Sequence, residues 1–306
     1  MTGTVVVLGA SGLLGQALMR QLALRGRAAV GLSRRSGVDR GVDRGVDHGV
    51  DLASLTSPQA LTRVLEPLAP RLVINAAAIT DLQRCEDQPE LACALHARLA
   101  GLLAAWSRNT GVPWVQVSTD HYFVDTQNRL HPENAPVLLL NQYARSKHAG
   151  EQLALSSPLA LVARTNIVGQ RGWPGQPTFA EWVVSALQTE QGIAAYTDSW
   201  SSSMEASQCA LALLDLCDLG VKGLLNVAAR QSCSKLDFIR ALAQALGLSS
   251  QHARPQPRPR GGLPRANALG LDVRRAEALL GRHLPTTEEV AATLAIVFKE
   301  HEHVLA

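Results

Sequence analysis

Short runs of aliphatic residues alternate with longer segments of helical hydrophobic spacing along the first half of the chain. The run Thr4–Leu8 is uninterrupted, as expected for a parallel strand that is covered on both faces. Similar runs at 28–32, 72–75 and Trp114–Val117 each follow a segment with helical spacing. This alternation predicts a Rossmann-type α/β fold, a doubly wound parallel sheet that binds ligands at the carboxyl ends of its strands.

The hydrophobic pattern changes after Arg164. Helical segments and one short strand then follow at 179–187, 209–219, 224–228, 234–246 and 287–299. We therefore predict an NAD(P)-binding Rossmann domain over 1–165 and a smaller C-terminal α/β substrate-binding domain over 166–306. The strand near 224–228 is expected to return to the first domain.

The first strand leads into a glycine-rich turn that opens a helix. Gly9, Gly12 and Gly15 are spaced three apart at this turn, where glycine lets the backbone approach a pyrophosphate. The amides at the helix N-terminus then bind the negative charge. A merely structural tight turn is the alternative. The predicted dinucleotide contacts also include the other residues of the turn, Ser11, Leu13 and Leu14.

Two further strand ends bear on the cofactor. The second strand ends in Ser33, Arg34 and Arg35, at the position where an NAD-preferring site usually carries an acid for the ribose hydroxyls. Arginine there accommodates a 2′-phosphate, so we predict NADP as the preferred cofactor over NAD. Solvated loop arginines are the alternative. After the fourth strand come small residues that let a cofactor lie close, Ala76, Ala77 and Ala78.

A tyrosine and a lysine four residues apart predict acid–base chemistry. Tyr143 and Lys147 lie on a predicted helix, so their side chains emerge on the same face one turn apart. A nearby ammonium lowers the pKa of a phenol, which makes the pair a candidate proton donor to a carbonyl being reduced. The hydroxyl of Thr119, at the end of the fifth strand, can hold the same oxygen. By itself such a spacing also occurs on ordinary surface helices.

Composition excludes several other classes of protein. The apolar content of 46% and the charged content of 18% are those of an ordinary globular protein, and a net charge of +3 is too small to indicate nucleic-acid binding. The five scattered cysteines fit reduced thiols in a cytoplasmic protein, with no metal site. No apolar stretch reaches the roughly 20 residues of a membrane span. The tetrapeptide repeat from Gly37 to Asp51 is interpreted as an expanded surface loop.

These motifs, taken in order, resemble one known superfamily. They are Gly9-x-x-Gly12-x-x-Gly15, Asn75 to Ala78, Ser118-Thr119-Asp120, Tyr143-x-x-x-Lys147 followed by Gly150-Glu151, and Arg164-Thr165-Asn166. The chain is similar to the extended short-chain dehydrogenases/reductases, and within them to dTDP-4-dehydrorhamnose reductase-like proteins. The resemblance implies NAD(P)-dependent chemistry and further cofactor contacts at Asp51, Leu52, Val117, Ser118, Thr165 and Asn166.

The chain departs from the resembled family mainly where the substrate is expected. His121 replaces a tyrosine after the Ser-Thr-Asp motif, His96 takes a helix position often occupied by asparagine, and Ile167 stands where rhamnose-forming reductases carry tryptophan. A Ser-Pro segment has become Ser201-Ser202-Ser203. Both histidines could be site residues, but an ordinary packed or solvated position is the favoured interpretation of each. The substrate contacts that the resemblance implies are Thr80, Asp120, His121, Tyr122, Asn166 and Ile167.

The predicted function is therefore reduction of a keto group. The resemblance points to a nucleotide-activated sugar, typically a dTDP-4-keto-6-deoxy sugar, or a related biosynthetic intermediate. Two alternatives stay open: an epimerase or dehydratase that uses the same residues without consuming the cofactor, and a non-catalytic regulatory subunit of the same fold. A homodimer is a family expectation.

Overall fold

A computed structural model describes residues 3–34, 48–171, 176–259 and 261–305. Arg35 and most of the tetrapeptide repeat lie outside the described residues. The chain divides into two compact units. The first comprises residues 1–119, 139–164 and 213–225, and the second comprises residues 120–138, 165–212 and 226–306.

The strands are short, and most of those in the first half of the chain coincide with the aliphatic runs. In chain order they are β1 Thr4–Leu8, β2 Ala29–Ser33, β3 His48–Gly49, β4 Pro70–Asn75, β5 Trp114–Val117, β6 Ala160–Arg164, β7 Ile167–Val168, β8 Ile193–Tyr196, β9 Trp200–Ser201, β10 Met204–Glu205, β11 Gly223–Asn226, β12 Cys233–Ser234, β13 Ala253–Gln256 and β14 Ala268–Leu269.

The helices follow the segments with helical spacing. They are α1 Leu13–Leu24, α2 Pro58–Leu65, α3 Leu82–Asp87, α4 Pro89–Cys93, α5 Leu99–Thr110, α6 Gln142–Leu155, α7 Phe179–Gln188, α8 Ala206–Asp218, α9 Lys235–Leu246, α10 Arg274–Leu280 and α11 Thr287–Leu305. A π-helical turn, Ala94–Arg98, joins α4 to α5.

The first unit is built on a seven-stranded sheet in the order β11-β6-β5-β4-β1-β2-β3. The six strands from β6 to β3 form five neighbouring pairs, all of them parallel. Because parallel strands are covered on both faces, Val6, Val73 and Trp114 are fully or almost fully buried. This sheet with its flanking helices confirms the predicted Rossmann-like α/β fold.

Two local predictions for the first unit differ from the structure in detail. Helical spacing predicts one long helix over 89–109; these residues are helical throughout, but the π-helical turn, which adds a residue to one turn, lies within them. The sequence also predicts a short third strand that ends at Asp51-Leu52, but strand β3 covers only His48–Gly49. Leu52 instead begins a 3₁₀ turn, because the Asp51 carboxylate accepts a hydrogen bond from the Ala53 amide and caps it.

The second unit contains small sheets and a separate hydrophobic core. Strand β7 pairs with β10, β9 lies between β12 and β14, and β8 pairs with β13. Apolar residues of α7, α9 and α11 form the core. Helical spacing places Trp182 on one face of α7 with Val183 and Leu187, but Trp182 is 42% exposed, whereas Val183 and Leu187 are buried.

Two kinds of feature are absent from the described residues. None of the helices there combines the length and the apolar composition needed to cross a membrane. In the same part of the chain, no three His, Cys, Asp or Glu side chains are grouped so that they could hold a metal ion.

Candidate active site

The glycine turn after β1 packs directly against the backbone after β4. The φ angle of Gly9 is +78°, which favours glycine, and a Cβ there would lie 2.7 Å from the backbone nitrogen of Ala77. A Cβ on Gly15 would overlap the carbonyl oxygen of Gly9. The Ala76 amide donates to the Leu8 carbonyl at 3.0 Å. The structure therefore brings together Gly9, Gly15, Ala76 and Ala77, four of the predicted cofactor residues.

The N-terminus of α1 is suited to a phosphate. Gly12 is its N-cap and makes no side-chain capping bond to the amides of the first turn, which include those of Leu13 and Leu14. The Gly12 amide donates to the Gly9 carbonyl at 2.9 Å, and the Ser11 carbonyl accepts from the Gln16 side chain at 3.1 Å. These contacts hold the turn in a shape that fits the pyrophosphate of a dinucleotide.

The ends of β2 and β3 place the other predicted cofactor residues of this unit. Ser33 is buried at the end of β2, and Arg34, which follows it, is exposed. The side chain of Asp51 is engaged in the 3₁₀ cap, and that of Leu52 is buried in the core of the first unit. Within the described residues at this end of the sheet, Arg34 is an exposed cation that could meet a 2′-phosphate.

Helix α6 places the predicted proton donor and its lysine in buried positions. Asn141 starts the helix by accepting a hydrogen bond from the Ala144 amide, and Tyr143 and Lys147 follow one turn apart. The Lys147 ammonium donates to the Val117 carbonyl at the end of β5, at 2.7 Å. Burial lowers the Lys147 pKa to about 8, although the Glu151 carboxylate acts in the opposite direction. Thr119, buried as well, lies two residues beyond Val117.

A buried ion pair supports the same helix from its other end. The Arg164 guanidinium donates to both oxygens of Glu151, at 3.0 and 2.5 Å. The Ser118 hydroxyl donates to the same carboxylate at 2.9 Å. Ser118, predicted as a cofactor contact, thus has its hydroxyl engaged with helix α6.

In the second unit, a directed chain of hydrogen bonds contains two of the predicted substrate residues. Asn166 donates to Asp120 at 2.5 Å and accepts from Ser203 at 2.7 Å. Ser203 lies 3.0 Å from the Ser201 hydroxyl, which accepts from the Lys235 ammonium at 3.2 Å. Because an ammonium only donates and an ionised carboxylate only accepts, every hydroxyl and amide between them donates toward Asp120. The serine run thus orients Asn166.

Lys235 is one of the cations that act on His121. Its ammonium lies 4.5 Å from the centroid of the Phe179 ring, and burial lowers its pKa, against the favourable charge of Asp120. Burial, together with the charges of Lys235, Arg265 and Arg258, lowers the pKa of His121 to about 4. His121 is therefore neutral at neutral pH.

The remaining predicted residues have ordinary local roles in the structure. Thr80 is exposed, Tyr122 is fully buried, and Ala78 lies in the loop after β4. Ile167 pairs with Met204 between β7 and β10, and the Thr165 hydroxyl lies 3.5 Å from the Cys209 thiol.

A family model described as the RmlD substrate binding domain matches residues 3–297. The chain belongs to this family. It is 30% identical to a probable low-salt glycan biosynthesis reductase, Agl14, of Haloferax volcanii, over 96% of this chain and 98% of the relative. It is also 30% identical to a dTDP-4-dehydrorhamnose reductase of Mycolicibacterium smegmatis, over 85% of this chain and 77% of that enzyme.

The solved structures agree with this assignment at the level of the fold. A dTDP-4-dehydrorhamnose reductase from Bacillus anthracis, in complex with NADP, superposes with a TM-score of 0.80 at 21% identity, covering 97% of this chain and 98% of that one. Membership of the RmlD family confirms the predicted superfamily, the extended short-chain dehydrogenases/reductases, and with it the predicted class of NAD(P)-dependent oxidoreductase.

Three residues of this RmlD-family chain were not predicted as site residues. Lys235 was interpreted only as part of the helical segment 234–246, where Ser234 caps the helix, Glu151 only as part of a motif, and His96 mainly as a packed side chain. Their partners, Ser201, Arg164 and Ser146, are 34, 13 and 50 residues away in the chain. Of the three, only Glu151 could have been found from the sequence, because Gly150-Glu151 is part of the family motif.

Proposed function

We propose that this RmlD-family chain reduces the keto group of a nucleotide-activated sugar with NADPH, and that Tyr143 is the proton donor. The single observation that carries the proposal is the Lys147 contact with the Val117 carbonyl, which fixes the Tyr143 turn of α6 at the carboxyl end of β5. That edge of a doubly wound sheet is where ligands bind. The names of the relatives support the sugar-nucleotide class of substrate.

The first unit fits the cofactor and the second is proposed to bind the substrate. Gly9, Gly12, Gly15 and the α1 amides would hold the pyrophosphate, and Arg34 the 2′-phosphate. When bound, the reduced nicotinamide supplies the hydride. The Tyr143 phenol gives its proton to the oxygen of the reduced carbon, the Lys147 ammonium favours loss of that proton, and Thr119 hydrogen-bonds the same oxygen. In the second unit, Asn166, Asp120 and the positive charge around His121 suit a polar sugar and its diphosphate.

The test is a spectroscopic assay of NADPH consumption with a panel of dTDP-4-keto-6-deoxy sugars. A reductase depletes NADPH in proportion to product. An epimerase or dehydratase converts substrate with no net loss of reduced cofactor, and a regulatory subunit binds NADPH without turnover. Either of the last two results would replace the proposed reaction.

We expect kcat/KM for reduction to fall as the pH rises through about 8. In the free enzyme the Lys147 ammonium is lost around that pH, and the phenol of Tyr143 is then a poorer acid. The kcat/KM profile is the appropriate measurement, because it reports pKa values of the free enzyme. In Lys147→Arg, whose guanidinium stays charged, the decline should move to higher pH. A decline that stays at the same pH in this variant would assign it to another group.

Arg34→Ala should weaken NADPH binding by about tenfold or more, which corresponds to the loss of one charge-assisted hydrogen bond. NADH binding should be unchanged, because it has no 2′-phosphate. Fluorescence titration of both nucleotides measures the two dissociation constants. Arg63→Ala, another exposed arginine of the first unit, is the matched control. An equal loss for NADPH and NADH would remove Arg34 from this role.

A further inference from the structure

His96 connects the candidate acid–base helix to the loop that follows β4. It lies in the π-helical turn Ala94–Arg98 and is only 1% exposed. Its Nε2 atom accepts a hydrogen bond from the Ile79 amide at 2.9 Å, and its Nδ1 atom lies 2.9 Å from the Ser146 hydroxyl. Ser146 stands between Tyr143 and Lys147 on α6, and Ile79 precedes the predicted substrate residue Thr80.

The hydrogen-bond partners determine the protonation of the His96 ring. A backbone amide can only donate, so Nε2 must be the nitrogen without a proton. A neutral ring then carries its proton on Nδ1 and donates it to the Ser146 hydroxyl. Ser146 in turn donates to the Tyr143 carbonyl at 3.1 Å. Protonation of Nε2 would place two N–H donors against each other, those of the ring and of the Ile79 amide. Burial and the charge of Lys147 also disfavour the protonated ring, and they lower the His96 pKa well below its usual value.

Close backbone packing also holds helix α6 against the π-helical turn. A Cβ on Gly150 would overlap the carbonyl oxygen of His96, so α6 approaches the π-helical turn as closely as backbone atoms allow. The His96 ring also meets the Tyr143 ring edge to face, with centroids 5.7 Å apart and an interplanar angle of 88°. A π-helical turn frequently marks a functional position in a helix. Here the His96 side chain meets the ring of the proposed proton donor, and it reaches the Tyr143 carbonyl through the Ser146 hydroxyl.

We propose that His96 is a positioning residue for Tyr143. Its neutral, Nδ1-protonated ring holds the Tyr143–Lys147 turn of α6 against the loop after β4, and this sets the place at which the Tyr143 phenol meets the substrate oxygen. His96 exchanges no proton with the substrate. In experiments that measure turnover, this proposal about His96 rests on the proposed function.

The first experiment compares His96→Phe, His96→Gln and Ser146→Ala by steady-state kinetics. Phenylalanine keeps a ring beside Tyr143 but makes neither hydrogen bond, so kcat should fall by about tenfold or more, while the dissociation constant for NADPH changes by less than about twofold. Glutamine offers an acceptor for Ile79 and a donor for Ser146, so it should restore most of kcat. Ser146→Ala should lose about threefold.

The matched control is Gln152→Ala, an exposed change on the same helix that should leave kcat unaltered. If His96→Phe does not fold, the glutamine and Ser146 variants still test the proposal. A kcat close to that of the wild type is expected in His96→Gln. The same result in Ser146→Ala would contradict the proposal. Wild-type kcat in His96→Phe or in Ser146→Ala overturns the positioning role.

A pH profile separates positioning from simple packing. The titratable groups around the ring are Lys147 and Tyr143 on α6. A third, the Cys85 thiol, contacts the Ile79 carbonyl, and burial raises its pKa to about 11. Protonation of His96 should contribute an acid limb to kcat/KM, and this limb should be absent in His96→Gln, which cannot titrate. An identical acid limb in the variant would contradict the proposal.

The closing experiment does not depend on turnover. Nitrogen-15 NMR of the imidazole at neutral pH, in the full-length protein, reports which ring nitrogen carries the proton, and the His96→Gln spectrum identifies the signal. A neutral ring protonated on Nδ1 is expected. A ring protonated on Nε2, or a charged ring, overturns the inference about His96. Failure of the proposed function would appear separately, as NADPH binding without reduction of any ketone.

Discussion

Tyr143→Phe should lower kcat for ketone reduction by roughly 10²–10⁴-fold and leave NADPH affinity nearly unchanged. The variant removes the proposed proton donor and keeps its ring, which is buried and in edge-to-face contact with His96. Lys147 keeps its own anchor, the Val117 carbonyl, so the helix should not move. The measurements are kcat, KM for the ketone, and the NADPH dissociation constant by fluorescence titration.

The matched control for this prediction is Tyr196→Phe in β8, which removes a phenol from the second unit and should leave kcat within about twofold of the wild type. A Tyr143→Phe enzyme with wild-type kcat would remove Tyr143 from the acid–base role. A parallel loss of NADPH binding would show that the phenol acts mainly through the structure.

The sheet of the first unit could be predicted because its signals are local. A parallel strand that is buried on both faces is a short, mostly apolar run. Strands β1 and β5 are such runs and have the predicted bounds, although β5 contains Gln116. Glycine at Gly9 and Gly15 is required by close backbone contacts, and this requirement is visible as spacing in the sequence. Helix α6 likewise carries Tyr143 and Lys147 at a spacing that already places them on one face.

The parts that escaped prediction depend on contacts between distant segments. The π-helical turn at His96 reflects the approach of Gly150, 54 residues later in the chain, and helical periodicity does not report it. Lys235 appeared only as the first residue of a capped helix, because its link to Asp120 passes through Ser201, Ser203 and Asn166. The serine run was recognised as a departure from the family, but its role in orienting Asn166 required the folded second unit.

Arg164→Met should destabilise the protein by about 3–5 kcal/mol, because it leaves the carboxylate of Glu151 buried without its cation. Arg164 is 3% exposed, and its side chain holds both Glu151 oxygens. The free energy of unfolding from urea titration is the measurement. Arg145→Met provides the matched control, since Arg145 is an exposed arginine 3.8 Å from Glu86, and such surface pairs contribute about 0–1 kcal/mol.

The double variant Arg164→Met, Glu151→Met separates the two contributions to that loss. If the cost lies in the uncompensated carboxylate rather than in the ion pair itself, removing both charges should recover much of the lost stability. Ser118 would then lose its acceptor, so recovery should stay incomplete by about 1 kcal/mol. A double variant no more stable than Arg164→Met would show that the pair itself stabilises the fold. Arg164→Met with stability equal to that of Arg145→Met would contradict the burial of the pair.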